Sequence, residues 1–441
     1  MKKLFKPLFI ILSLGLVFTA CKKDDPAQTN DIPEKEPEYS EDSPEVSKAN
    51  MEKAGIDFMK ELENLPKSDV FVAAKSLSNK LSGEKSVVIK SGFLPTLLSL
   101  QSGNSTQEVK SLLKNYSLRA DIEEDAGIYT WNSTTGEFVE SQTDELMVKY
   151  IFPYDADVDD ENNCELTLST ELTNVSDTYL STTEAPNNVS VTFDVKGATL
   201  VEYTLDAEYN SDGVPSIIES SFRLEDYTWK RSLNQNTSAA SYDYLFTYGD
   251  KTLMNTGVDA SGNFDVSDIE TYFENNIIRN DTSQFHEDNY ISEAGMFLQD
   301  VKMYYQIMNV KLINLINTKK LSNAIQEIIN KADAEGYSVN QLQDSIVFAL
   351  NKHVNMYLMY TDNSKKIANA EMYMKTVEYE DYNFETQQYD TKEREDVAVQ
   401  FIFEENGSPV DAEVYFQEGF EDFEAELEDL ETELEDLFDT F

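Results

Sequence analysis

The sequence predicts an α+β protein: an antiparallel β-meander with amphipathic helices packed on it and an acidic helix at the C-terminus. Two observations carry this reading. Between residues 127 and 248 run short segments rich in Val, Ile, Thr, Tyr and Phe, separated by polar turns. No helix-length apolar pattern lies between them, so consecutive strands pair as a meander rather than as β-α-β units. On either side of this region the apolar spacing changes from two to three and four.

Residues 47–118 read as helical. Met51, Phe58, Met59, Leu62 and Leu65 fall near one face, and Pro66 ends the run. Val70, Ala73, Ala74, Leu77 and Leu81 form a second amphipathic stretch stopped by Gly83. Val109, Leu112, Leu113 and Tyr116 mark a third, with Thr106 as its cap. Strand character then begins. Ile128–Trp131 and Glu137–Glu140 flank a Ser-Thr-Thr-Gly turn, and further runs follow at 145–152, 164–170, 189–195, 199–209, 217–233 and 242–248.

Ser267-Asp-Ile-Glu270 is a capping box that opens the next helical part. A long helix is expected from about Ala294, because Leu298, Val301, Tyr305, Met308, Leu312 and Leu315 step by three and four. Ile325, Ile328 and Ile329 continue an apolar face to the break at Gly336. Val339, Leu342, Ile346, Ala349 and Tyr357 suggest another helix. Residues 370–379 return to strand. Val397, Val399, Phe401 and Phe403 alternate, Asn406-Gly407 signals a turn, and Ala412, Val414 and Phe416 alternate on the return. Such a hairpin is not stable alone. It is expected to complete the earlier sheet, making residues 47–417 a single α+β body. In residues 418–441 the apolar positions Phe420, Phe423, Leu427, Leu430, Leu434, Leu437 and Phe441 form a heptad seam flanked only by acids. Like charges would oppose self-pairing, so this helix is expected to dock on its own body.

The N-terminus is of another kind. Lys2, Lys3 and Lys6 precede an apolar run, Leu8–Phe18, and the small residues Thr19 and Ala20 precede Cys21. That is the pattern of a secretory signal, too short to span a bilayer. With Ala20-Cys21 and the charged residues behind it, the segment resembles a bacterial lipoprotein signal peptide. The resemblance implies cleavage after residue 20, acylation of Cys21, and anchoring in a membrane by the attached chains. Lys22 stands where an inner-membrane retention signal would have Asp. Lys23-Asp24-Asp25 is similar to the export tags of surface-displayed lipoproteins of some Gram-negative bacteria, which implies the outer membrane with the body facing the exterior. Residues 21–46, rich in acids and prolines and nearly free of apolar side chains, read as a disordered, extended linker.

A length of 441 residues with 40% hydrophobic side chains suffices for a real core. The formal charge is −48, more negative still once a leader with three lysines is removed. Such a body repels nucleic acid and anionic lipid, and attracts cationic proteins and divalent cations. With two cysteines, one of them the acylation site, a disulfide framework is excluded; Cys164 reads as a small strand residue.

Chemistry-bearing motifs are sparse. Asp259, Ser261, Asn263, Asp265, Ser267 and Glu270 fall at the ligand positions of an EF-hand calcium loop. Phe264 occupies the sixth position, where the sharp turn needs glycine, and the helix cap already explains Ser267 and Glu270. A plain turn is therefore preferred, and calcium is the one cofactor the spacing admits. The acidic cluster Asp155, Asp157, Asp159, Asp160 and Glu161 reads as a solvated turn. The two histidines, His286 and His353, are framed by no nucleophile or metal motif. The expectation is a lipid-anchored envelope protein with a non-catalytic binding or structural role. A carrier of an apolar ligand and a carboxylate-based hydrolase are the competing readings.

Overall fold

The computed structural model describes residues 36–63, 65–81, 125–155, 161–172, 186–210, 213, 215–265, 297–383, 388–404, 407–417, 419, 420, 422, 423 and 425. Among the described residues sixteen strands form a mixed, open sheet whose order follows the chain almost throughout, so the protein is mostly β with a smaller helical part. The strands are β1 (Gly127–Asn132), β2 (Glu137–Ser141), β3 (Met147–Pro153), β4 (Asn162–Leu172), β5 (Pro186–Val195), β6 (Ala198–Tyr209), β7 (Pro215–Leu224) and β8 (Tyr227–Asn236). They continue as β9 (Ala239–Tyr248), β10 (Lys251–Gly262), β11 (Leu298–Ile307), β12 (Val310–Ile316), β13 (Val354–Tyr360), β14 (Lys366–Asn383), β15 (Gln388–Ile402) and β16 (Val410–Asp411). The helices are α1 (Pro44–Leu62), α2 (Asp69–Lys80), α3 (Thr318–Glu335), α4 (Val339–His353) and α5 (Ala412–Gln417). The strand order β16 down to β3 and then β1-β2 is the expected meander; β1 departs from it by pairing parallel to β3.

The chain divides into two compact units. One holds residues up to Gly55 with Asn236–Tyr242 and Asn255–Asp422; the other holds Ile56–Gln235 with Asp243–Met254. In the second unit, the pairing register aligns apolar side chains in transverse rows. One row is Tyr150–Leu166–Phe193–Val201–Leu224–Tyr227. The row beside it is Val148–Leu168–Val191–Tyr203–Phe222–Trp229. The opposite face carries Lys149–Thr167–Thr192–Glu202–Arg223–Thr228 across the same strands. An antiparallel sheet with one face buried shows this strict alternation. Helix α2 covers part of the apolar face: Val70, Phe71, Ala73, Ala74 and Leu77 are all buried. Ser68 caps it, accepting from the Val70 N–H at 3.2 Å and donating to Glu225 at 2.7 Å. Two-residue turns close the β5–β6, β7–β8 and β9–β10 hairpins; Lys196 and Gly197, both at positive φ, join β5 to β6.

In the first unit, α1 contributes Met51 to a buried cluster that also holds Met356, Leu358, Tyr360, Ala368, Phe401 and Tyr415. Asn50 donates to the Tyr360 hydroxyl at 3.1 Å, and the Tyr415 hydroxyl donates to the Pro44 carbonyl at 2.8 Å. Helix α3 is capped by Asn317 and ends at Gly336 in the left-handed region, while α4 opens on a capping box formed by Ser338 and Gln341.

The fold departs from several expectations. The helix expected from Ala294 is a hairpin, β11 and β12, turned at Met308-Asn309 with Met308 at positive φ. Buried Val301, Tyr304, Gln306, Ile313 and Asn314 lie on both faces, so the period of two is blurred and a step of three or four emerges by coincidence. Tyr357 belongs to β13 rather than to the preceding helix. Residues 217–233 are two strands joined at Glu225-Asp226. The return segment at Ala412, Val414 and Phe416 is the short helix α5, because Asp411 accepts from the Val414 N–H at 2.9 Å and caps a helical turn. Strand β10 gave no clear signal. Its Gly257 is required by packing, since a Cβ there would come within 2.5 Å of the Tyr304 ring. The expected third helix near Val109 and nearly all of the C-terminal heptad lie outside the described residues.

Phe193 sits at the centre of its row with no exposed surface. Phe193→Ala should destabilise the chain by about 3–5 kcal/mol. Urea unfolding followed by tryptophan fluorescence checks this, and a loss below about 1 kcal/mol would contradict the packing described.

Candidate functional site

The acidic, proline-rich stretch after Cys21 does not stay clear of the body. Glu36–Ser40 lies as a strap along the start of β14. The Ser40 N–H donates to the Lys366 carbonyl at 2.7 Å and the Lys366 N–H donates to the Glu38 carbonyl at 2.8 Å, making a parallel bridge between Tyr39 and Lys366. Side chains complete the clamp. The Lys366 ammonium pairs with Glu36 and sits 4.0 Å from the centre of the Tyr39 ring. Lys365 pairs with Glu38 at 3.0 Å.

The clamp has a physical cause. Lys366 is only 4% exposed. A buried ammonium without a counter-charge is strongly unfavourable, and Glu36 supplies that charge. Lys366 is placed there by the β13–β14 register, which shifts at Leu358/Met359 and sets Lys366 opposite Met359 and, through it, Lys311. Beside it lies Tyr357, whose buried hydroxyl has no hydrogen-bond partner among the described groups. Burial, reinforced by the Glu36 carboxylate, pushes that phenol up to about 12. Lys311, also buried, lies 4.2 Å from the centre of the Tyr304 ring. The strap thus fixes Glu36–Ser40 against the sheet. The stretch Lys22–Lys35 that precedes it would reach roughly 50 Å if fully extended.

A second polar cluster belongs to the other unit. Tyr154 donates to Asp69 at 2.6 Å, and the Lys196 ammonium reaches the same carboxylate at 3.3 Å while lying 3.4 Å from the centre of the Tyr154 ring. The Tyr154 hydrogen bond holds Asp69 below the usual carboxylate range, against partial burial and with help from Lys196. Burial and Asp69 together push the Tyr154 phenol far up. Cys164 lies close by, buried, and its thiol is pushed up to about 11 chiefly by burial. A thiol in that state is a poor nucleophile at neutral pH. The cluster therefore ties the first turn of α2 to β3 and to the β5–β6 turn, holding helix to sheet. Nothing in the local sequence around Asp69 signals it, because its partners are far along the chain.

The residues singled out from the sequence are scattered. Asp259 and Ser261 lie in β10, and Asn263 and Asp265 lie in the turn after it. Ser261 exchanges hydrogen bonds with the Asp300 backbone at 3.3 and 3.5 Å, and Asn263 accepts from the Asp265 N–H at 3.1 Å. Asp259 and Ser261 are two positions apart in one extended strand, whereas an EF-hand loop wraps its ligands around one centre. Glu270 and Ser267 lie outside the described residues, as do Cys21, His286 and most of the acidic turn after Asp155. His353 is the last residue of α4, its imidazole pushed down by burial and then by Lys352 and Lys320.

No known family, curated protein or solved structure matches this chain.

Substitution separates the roles of these two clusters. Glu36→Ala leaves the Lys366 charge buried, whereas Lys366→Met leaves only a half-exposed carboxylate that water can solvate. Glu36→Ala should cost about 1–3 kcal/mol, Lys366→Met less, and the double variant should recover most of the loss. Equal costs for both single variants in thermal unfolding would contradict the clamp. For Asp69, a lowered folded pKa means its contribution to stability is fully present above about pH 4 and is lost as pH falls through the folded value. The gap in melting temperature between wild type and Asp69→Asn should be constant from about pH 8 to 5 and shrink below about pH 4. A gap that widens on acidification would contradict this.

Proposed function

We propose that the chain is a lipid-anchored cell-envelope protein. Acylated Cys21 holds it in the outer membrane, its body faces the cell exterior, and its role is non-catalytic binding or structural. The observation that carries the reading is Cys21 itself, behind a basic and apolar leader and ahead of Lys23-Asp24-Asp25. The strap supports it. A tether transmits position only if its far end is fixed, and Glu36–Ser40 is pinned to the sheet by two backbone hydrogen bonds and a buried lysine. Electrostatics supports it as well: a body of this charge is repelled by anionic lipid, so acyl chains rather than surface attraction must hold it.

The competing roles draw less support. Among the described residues the strand order runs from β16 to β2 without a pairing that closes it, so the sheet lends the carrier reading no support. Of the carboxylates in the clusters above, Glu36 and Glu38 are engaged by lysines and Asp69 by both a lysine and a tyrosine, as befits structural contacts.

Cys21→Ser should move the protein out of the membrane fraction, and protease applied to intact cells should cut the wild type. A Cys21→Ser variant that stays in the membrane would overturn the anchor. Cleavage only after the outer membrane is permeabilised would overturn the exterior placement and leave the anchor standing.

A further inference from the structure

Strands β14 and β15 pair without interruption from Asn369–Ile402 to Asn383–Gln388. Their neighbours stop early. Strand β13 reaches β14 only as far as Ala370, and β16 meets β15 only at Gln400 and Phe401. At Met372 the side-chain amide of Asn351 takes over, donating to the carbonyl and accepting from the N–H, each at 2.8 Å. Beyond that point the hairpin continues for roughly 35 Å as a two-stranded ribbon. Among the described residues no strand pairs with either of its outer edges.

A two-stranded ribbon is marginal in water, and the charges on this one make it worse. Glu378 stands directly opposite Glu393. Like charges in that position are destabilising. Alternation along the two strands also separates the charges by face. Lys375, Lys392 and Arg394 share one face, where Lys375 pairs with Asp411 and Glu413, and Arg394 with Asp396. The other face has Glu378, Glu393 and Glu395, with no lysine or arginine among Met374, Thr376 and Glu378 or the residues opposite them. An open backbone edge bordered by such a face suits an added strand that brings positive charge.

We propose that this ribbon receives an extended, lysine- or arginine-rich segment of a partner protein, added as a third strand along the edge of β15 where β16 stops. The added backbone satisfies the open edge, and alternate basic side chains lie over the glutamate face and relieve the Glu378–Glu393 repulsion. Half-exposed Val397, on the glutamate face, offers an apolar contact at its root. A second copy of this chain is the wrong occupant, since it would bring the same acidic face and a net charge of −48. The proposal rests on the binding role inferred above and names its partner class.

The test uses the full chain in detergent and a synthetic peptide alternating lysine and valine. Two variants accompany it. One is Glu378→Gln/Glu393→Gln/Glu395→Gln. The other replaces residues 376–395 by Asn-Gly, which retains the Lys375–Asp396 pair and every contact of the sheet proper. Circular dichroism and melting temperature report whether each is folded. Wild type should bind the peptide, and both variants should bind at least about tenfold more weakly. A peptide N-methylated at alternate residues should also lose affinity, because it cannot extend the strand ladder. No binding to wild type, or equal binding by wild type and the trimmed variant, would overturn the proposal. Cys21 plays no part in this measurement, so its failure leaves the anchor reading standing, and failure of the anchor leaves this result interpretable.

Discussion

The second unit depends on one constraint, the side-chain register across β3–β8. Because alternate residues of a strand face opposite ways, a slip of one residue in any of these strands would bring a row such as Lys149–Thr167–Thr192–Glu202–Arg223–Thr228 to the buried face. The register is held by two devices. Short turns such as Lys196-Gly197 and Glu225-Asp226 fix the offset between neighbours. Large side chains then interlock across strands, ending in Trp229 stacked on Phe246 with ring centres 4.5 Å apart. Helix α2 lands on this face in one orientation because its first turn is tied by Ser68 to Glu225 and by Asp69 to Tyr154.

The first unit is organised around a different constraint, the burial of Lys366. Its counter-charge comes from Glu36, 330 residues away in sequence. Closing a loop of that length costs conformational entropy that the buried pair and the backbone bridge must offset. The contact exists only in the folded state.

What the sequence made legible follows from the same physics. The strands of residues 127–248 could be read because one face of the sheet is buried and the other wet, which imprints alternation on the chain. The hairpin at Leu298–Ile316 could not, because side chains on both faces are buried and the alternation fades. Strand β10 was hidden by its glycines, whose reason at Gly257 is the Tyr304 ring of another strand. The strap was hidden because prolines and acids argue locally for disorder, and its order comes from Lys366. Asp69, Tyr154 and Lys196 assemble only through the fold, so no local spacing announces them.

The proposed anchor places a lipid on Cys21 and a folded body outside the cell. Mass spectrometry of the N-terminal fragment from membrane-extracted protein tests it most directly. The predicted result is a mature chain that begins at Cys21 and carries acyl chains on that residue. An N-terminus elsewhere, or an unmodified Cys21, would contradict it.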